Sequence, residues 1–149
     1  MQSILDGVRI QPLKLLPNEH GRLMEVQRSD DAVFLGFGQV YVTQSYQGVV
    51  KAWYRHRVQI DQLAVVTGLV KLVLFDARDA SATAGKVEEI IMGDLAPKLV
   101  QIPPGIWHGF KAIGPTDAFL LHLNSVAYNF EQPDEDRLPL TDPSIPYRW

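Results

Sequence analysis

The chain has 149 residues, 46% apolar and 21% charged, with a net charge of −3, which suits one globular domain with a full core. The absence of cysteine excludes disulfide scaffolds and every thiolate nucleophile or thiolate metal site. There is no basic block to attract nucleic acid, no apolar run approaching the ~18 residues of a membrane span and no basic n-region at the start, so the cytoplasm is the expected location.

In chain order, short β-rich runs are separated by Gly, Pro, Asn and Asp, and almost no window carries a helical apolar stripe. The predicted strands are Val8–Leu15, Gly21–Gln27, Gly36–Gln44, Val49–His56, Gln62–Val66, Leu69–Asp76, Lys86–Ile91, Lys98–Ile102, Gly109–Ala112 and Phe119–Ser125. That many short strands with turns between them predict a single all-β domain, a sandwich or closed barrel. The stretch from Gly48 to Gly68 draws attention. Simple alternation puts Val50, Ala52, Tyr54 and His56 on one face and Val49, Lys51, Trp53, Arg55 and Arg57 on the other. A tyrosine and a histidine on an inward face are costly unless hydrogen-bonded or used. Asp76–Lys86 reads as a polar loop, and Pro103-Pro104-Gly105 as a tight turn into Trp107-His108-Gly109. The tail from Glu131 is rich in Pro and Asp yet carries Leu138, Leu140, Ile145, Tyr147 and Trp149. It is expected to wrap over the core as a short helix or an extended arm.

Two segments resemble the cupin pattern. Gly48, five residues, Tyr54-Arg55-His56, four residues, Asp61, six residues and Gly68 follow the spacing of its first motif, and Pro103 to His108 that of its second. The order of further segments is similar to one cupin family, the dTDP-4-dehydrorhamnose 3,5-epimerases. These are Gly21–Glu25, Phe37-Gly38-Gln39 with Thr43 and Ser45, Gly48-Val49, Val73–Arg78, Ile102-Pro103, His108-Gly109-Phe110, Tyr128, Asp142-Pro143 and Trp149. The resemblance implies a cupin-type double-stranded β-helix, or jelly-roll barrel, in one domain over residues 1–149, without cofactor or metal. It also implies a homodimer in which a strand near the N-terminus, carried to Val8–Leu15, adds to the partner.

The chemistry implied is proton removal next to the C4 ketone of a nucleotide-linked 4-keto-6-deoxy sugar. In the family a histidine oriented by an aspartate is the base, a tyrosine the acid, and a lysine stabilises the enolate. Here the base position carries Tyr54, the lysine position is expected on Gln62, the tyrosine position on His122 (or Leu121, one residue away), and the aspartate on Asp142. Imidazoles remain available to take a proton near neutrality, and a phenol is the better donor. The expected catalytic residues are thus Tyr54, His56, His122 and Asp142, with His56 or His122 as base. Glu25, Gln39, Lys51, Gln62 and His108 are expected to bind substrate. Three alternatives remain open: the related 3,4-ketoisomerases, which Lys51–His56 also resembles, a non-catalytic nucleotide-sugar binder, and a metal site built from Tyr54, His56, Asp61 and His108.

Overall fold

A computed structural model describes residues 2–149. Their regular structure is all β, with no helix among the described residues. The strands are β1 (Arg9–Pro12), β2 (Leu15–Asn18), β3 (Gly21–Met24), β4 (Gln39–Ser45), β5 (Val50–Arg55), β6 (Asp61–Thr67), β7 (Leu69–Asp76), β8 (Val87–Gly93), β9 (Lys98–Ile102), β10 (Ile106–Ala112), β11 (Ala118–Asn124) and β12 (Asp136–Arg137). One sheet runs β1-β9-β6-β11-β4, a second β12-β5-β10-β7-β8, and β2 and β3 form a separate hairpin. From β4 to β11 the chain crosses between the two sheets at every connection except β7–β8. This is the expected all-β, cupin-type jelly roll.

The core lies where the sheets face each other. Leu63, Val65, Val100, Ile102 and Leu120 meet Leu72, Leu74, Ile90, Met92, Ile106 and Phe110. Each such buried side chain contributes about 1.5–3 kcal/mol. A second apolar layer covers the outside of the second sheet. Trp53, Val73, Phe75 and Trp107 are buried there with Ile145, and Leu138, Tyr147 and Trp149 pack on them. The tail is therefore an extended arm, and β7 is buried on both faces, which is why its sequence reads as a nearly unbroken apolar run. The arm is also tied by backbone: Trp53 and Leu138 exchange N–H···O bonds of 3.2 and 3.1 Å.

The predicted strand Val8–Leu15 divides. Arg9–Pro12 pairs with β9 of its own chain, Arg9 opposite Gln101, and Leu15 opens the β2–β3 hairpin. β1 is thus an edge strand, paired on one side with β9 and on the other with no strand among the described residues.

A second irregularity matters more. On β10, His108 faces Tyr54 of β5, but two residues on, Phe110 faces Lys51. One extra residue of β5 is accommodated, so the face on which side chains emerge switches between Lys51 and Tyr54. Gly109 sits at this point, where an added Cβ would lie 2.3 Å from the Ala52 side chain, so only glycine lets the two strands approach.

Candidate active site

Six strands converge on a cavity of about 290 Å³ lined by Tyr41, Thr43, Lys51, Tyr54, His56, Asp61, His108, Phe110, His122, Glu135 and Arg137. Tyr41 and Thr43 come from alternate inward positions of β4, His122 from its neighbour β11, and Asp61 from the start of β6. β10 supplies His108 and Phe110 from the opposite sheet, β5 supplies Lys51 and Tyr54, and β12 closes the rim. A contiguous recess adds Gln39, Gln59, Asn124 and Tyr128 while sharing Tyr41, His56, Glu135 and Arg137.

Asp61 is the buried anion of this cavity. Its side chain and those of His108 and His122 are only 5, 4 and 6% exposed. One carboxylate oxygen, Oδ2, lies 3.3 Å from His108 Nε2, and Oδ1 lies 3.8 Å from His122 Nδ1. Burial by itself would push the Asp61 carboxyl up; the adjacent His108 and His122 imidazoles outweigh it and hold the group well below the usual carboxylate range. His122 is held from its other side as well. The Thr43 hydroxyl lies 2.9 Å from its Nε2, and the Tyr41 ring stacks on it at 4.4 Å between centroids with 12° between planes. Burial first, and the negative charge of Asp61 second, push the Tyr41 phenol up to about 12, so it stays a neutral hydrogen-bond donor.

His56 is fixed differently. Its Nδ1 lies 2.5 Å from the Asp134 carbonyl and its Nε2 3.3 Å from the Gln59 amide nitrogen. Nδ1–H therefore donates to the carbonyl, and Nε2 accepts from the amide. The Asp134 carboxylate accepts the backbone N–H groups of Arg57, Val58 and Gln59, and Asp136 bridges Arg55 and Arg57. By alternation Glu135 and Arg137 then turn to the cavity, where Arg137 lies 5.4 Å over the Tyr54 ring.

Of the residues expected from the sequence, Tyr54, His56, His108, His122 and Lys51 share the cavity. Alternation had put Lys51 opposite Tyr54; the extra residue in β5 brings it to the same face, where Nζ donates to the Gln44 carbonyl at 2.8 Å. Gln39 lines the contiguous recess and accepts the Tyr128 backbone N–H at 2.6 Å. Three residues are placed elsewhere. Gln62 lies on the other face of β6, where it accepts from Gln27 and Gln101 and donates to the Leu123 carbonyl. Its polar atoms are engaged there, and its inward neighbour is Asp61. Asp142 is half-buried in the tail and accepts from the Ser144 backbone and hydroxyl, so the carboxylate beside the histidines is Asp61 instead. Glu25 pairs with exposed Arg28 beside a separate recess. The cavity residues not anticipated are Tyr41, Glu135 and Arg137. The period-two polar row Gln39, Tyr41, Thr43, Ser45 is the signal by which Tyr41 was legible; Glu135 and Arg137 reach the site only because the tail folds back.

Chemically, the cavity sets His122 and the buried Asp61 carboxylate against the Tyr54 phenol of the facing sheet, an arrangement suited to moving a proton to and from carbon. Among the described residues, His56, Asp61 and His108 each offer one atom, all within 4.8 Å of one another, and are the group that could hold a metal ion.

Comparison with known proteins bears on this geometry. The sequence profile of the dTDP-4-dehydrorhamnose 3,5-epimerase family matches residues 2–149. The chain is 35% identical to the spore coat polysaccharide biosynthesis protein SpsL of Bacillus subtilis, over 98% of this chain and 97% of that one. It is 36% identical to the "probable low-salt glycan biosynthesis epimerase" of Haloferax volcanii, over 100% and 96%. Among solved structures, it is similar to a dTDP sugar isomerase from Desulfovibrio desulfuricans, at 32% identity and a TM-score of 0.93 over 97% of this chain and 92% of that one. It is also similar to NovW of Streptomyces spheroides, described as a 4-keto-6-deoxy sugar epimerase, at 26% identity and a TM-score of 0.86 over 99% and 76%.

Proposed function

The chain belongs to the dTDP-4-dehydrorhamnose 3,5-epimerase family, and from that premise we propose that it epimerises a dTDP-linked 4-keto-6-deoxy sugar by removing a proton from the carbon next to the C4 ketone. The observation that carries this reading is the Asp61 carboxylate between His108 and His122 in a cavity where Tyr54 is presented from the sheet opposite His122. His122 is the base. Asp61 behind its Nδ1 orients the ring and stabilises the imidazolium that forms, the task the sequence assigned to Asp142. Tyr54, from the opposite sheet, returns a proton to the other face of the carbon, which is what inverts the centre. His56 has both ring nitrogens engaged and forms the wall rather than the base. Lys51 and Arg137 at the rim, with Gln39 in the contiguous recess, suit the diphosphate and nucleoside of a nucleotide sugar, Lys and Arg by charge-assisted bonds to phosphate oxygens. His108 contacts the sugar near the ketone oxygen.

The test is incubation with a dTDP-4-keto-6-deoxy sugar in heavy water. Deuterium entering at C3, C5 or both is expected; none entering at any protein concentration rejects enolisation and leaves a non-catalytic binder. His122→Gln should slow the exchange by about 10²–10⁴-fold, and an unchanged rate removes His122 as base. Movement of the keto group from C4 to C3 in the product would instead identify a ketoisomerase.

The homodimer is carried forward as part of the same proposal. Val40, Val42 and Phe119 leave apolar surface on the outer side of β4 and β11, a face suited to a second copy. Sedimentation as a monomer at micromolar concentration would count against it.

A further inference from the structure

We propose that Gln62 is a positioning residue for the Asp61–His122 pair: its side-chain amide, on the face of the sheet away from the cavity, ties β6 to β11 at the point that sets how far the two groups stand apart. The inference rests on the epimerase reading above. Gln62 is fully buried on the middle strand of its sheet. Its Nε2 donates to the Leu123 carbonyl of β11 at 2.7 Å. Its Oε1 accepts from Gln101 of β9 at 2.7 Å and from Gln27 at 2.9 Å. Gln101 donates in turn to the Val33 carbonyl at 2.7 Å. Both carbonyls only accept, which fixes the direction of both amides. The place therefore calls for a donor at one end and a double acceptor at the other. Lysine has no acceptor for the two glutamines, glutamate would set a carboxylate against the Leu123 carbonyl, and asparagine is one methylene short. The cluster even leaves Gln101 Oε1 buried without a partner among the described residues. Apolar side chains would fill the same space without that cost; what the amides add is a fixed geometry.

The register shows which geometry is fixed. His122 lies opposite Leu63, so one residue on Leu123 meets Gln62, and the next pair is Asn124 and Asp61. Asp61 and His122 are thus diagonal neighbours rather than a directly facing pair. A diagonal contact is longer than a direct one and varies with the twist between the strands. Here it brings Asp61 Oδ1 to 3.8 Å from His122 Nδ1, and both atoms are buried without a hydrogen-bond partner among the described residues. The Gln62–Leu123 bond crosses the centre of that diagonal on the other face of the sheet, one residue from each member of the pair. The Oε1 end is anchored to β9 by Gln101 and, through Gln27, to the connection that leads into β4. Tyr41 and Thr43 of β4 hold the far side of His122. One amide therefore links every strand that places the base with the carboxylate behind it.

The test is Gln62→Met, which keeps length and bulk but loses both strong hydrogen-bonding groups. The kcat for deuterium exchange into a dTDP-4-keto-6-deoxy sugar should fall about 10–10²-fold, the effect of a misplaced base, with KM within about twofold of wild type. The ring resonances of His122 should shift, while those of the exposed His20 stay in place. In an Asp61→Asn background the same substitution should cost less than about twofold, because the pair it positions is already lost. A lower urea midpoint with kcat unchanged would make Gln62 a packing residue and overturn the proposal. A loss confined to KM, a slower kcat with His122 unshifted, or equal losses in the two backgrounds would overturn it as well. Should Gln62→Met fail to fold, Gln27→Met and Gln101→Met carry the test, since each leaves the Leu123 bond and releases one anchor of Oε1. Each should lower kcat about threefold with KM unchanged; wild-type kcat in both overturns the proposal. Exchange at the wild-type rate in the Gln62 variant defeats this inference alone. No exchange in the wild type defeats the epimerase reading, and a shifted His122 in Gln62→Met then leaves the placement standing.

Discussion

His122 shows how much a single side chain depends on its cross-strand neighbours. It sits opposite Tyr41 on β4 and Leu63 on β6, and the diagonal positions Thr43 and Asp61 reach its two nitrogens. Removing the Thr43 hydroxyl while keeping its shape, as in Thr43→Val, should lower the deuterium-exchange rate by about 10-fold, the worth of one hydrogen bond of ~1–1.5 kcal/mol. Thr43→Ser should restore it, and a Val variant that is unaffected would show that the stack on Tyr41 is sufficient. The residue scale is also where reading from the sequence slipped. Gln62 and Asp61 are adjacent, so expecting Gln62 in the cavity is a one-residue error, and in a strand that exchanges the core face for the outer face. Asp142, before Pro143, resembled a dyad aspartate but caps its own turn through Ser144.

At the level of elements, β5 is the strand on which the site and the outer apolar layer both depend. Its inward side carries Lys51 and Tyr54, and Trp53, fully buried on the outward side, packs against Tyr147 and Trp149 at 6.1 and 5.1 Å between ring centroids. Trp53→Ala should cost about 3–5 kcal/mol through the cavity it leaves, read as a shift of the urea midpoint; a loss below ~1 kcal/mol would mean that the tail contributes little to stability. The clamp by β12 makes a separate prediction. Asp134→Ala strips three backbone N–H groups of their acceptor and should destabilise by about 1–3 kcal/mol, while loosening Glu135 and Arg137 at the rim and so weakening nucleotide-sugar binding measured by calorimetry. Unchanged affinity would remove the rim residues from recognition. Alternation along Val49–His56 was legible, but the extra residue opposite β10 was not, since a bulge is set by the partner strand and by the room that Gly109 leaves.

Over the whole molecule, two buried carboxylates couple stability to acid. Asp61 and Asp76 are both held below the usual carboxylate range although burial alone would raise them. For Asp61 the opposing groups are His108 and His122; for Asp76 they are Arg78, Ser81 and Thr83. A carboxylate depressed in the folded state is protonated first in the unfolded chain. The stabilisation is therefore complete above about pH 4 and is lost progressively as pH falls below that. The urea midpoint should be flat from about pH 7 to 5 and drop steeply below about pH 4, with a shallower drop in Asp76→Asn; an acid limb identical in wild type and variant would remove Asp76 from this account. No helix among the described residues is long and apolar enough to cross a membrane.

The sequence alone determined the all-β class, the family resemblance, most strand positions and the gathering of Tyr54, His56, His108 and His122, because period-two patterning, turn residues and motif spacing are local properties of the chain. Only the tertiary structure decided which carboxylate stands among the histidines, that Lys51 joins Tyr54, and that Glu135 and Arg137 close the rim. Those outcomes depend on which face of a neighbouring strand is offered and on a tail that returns from far along the chain, contacts that exist only once the two sheets have packed.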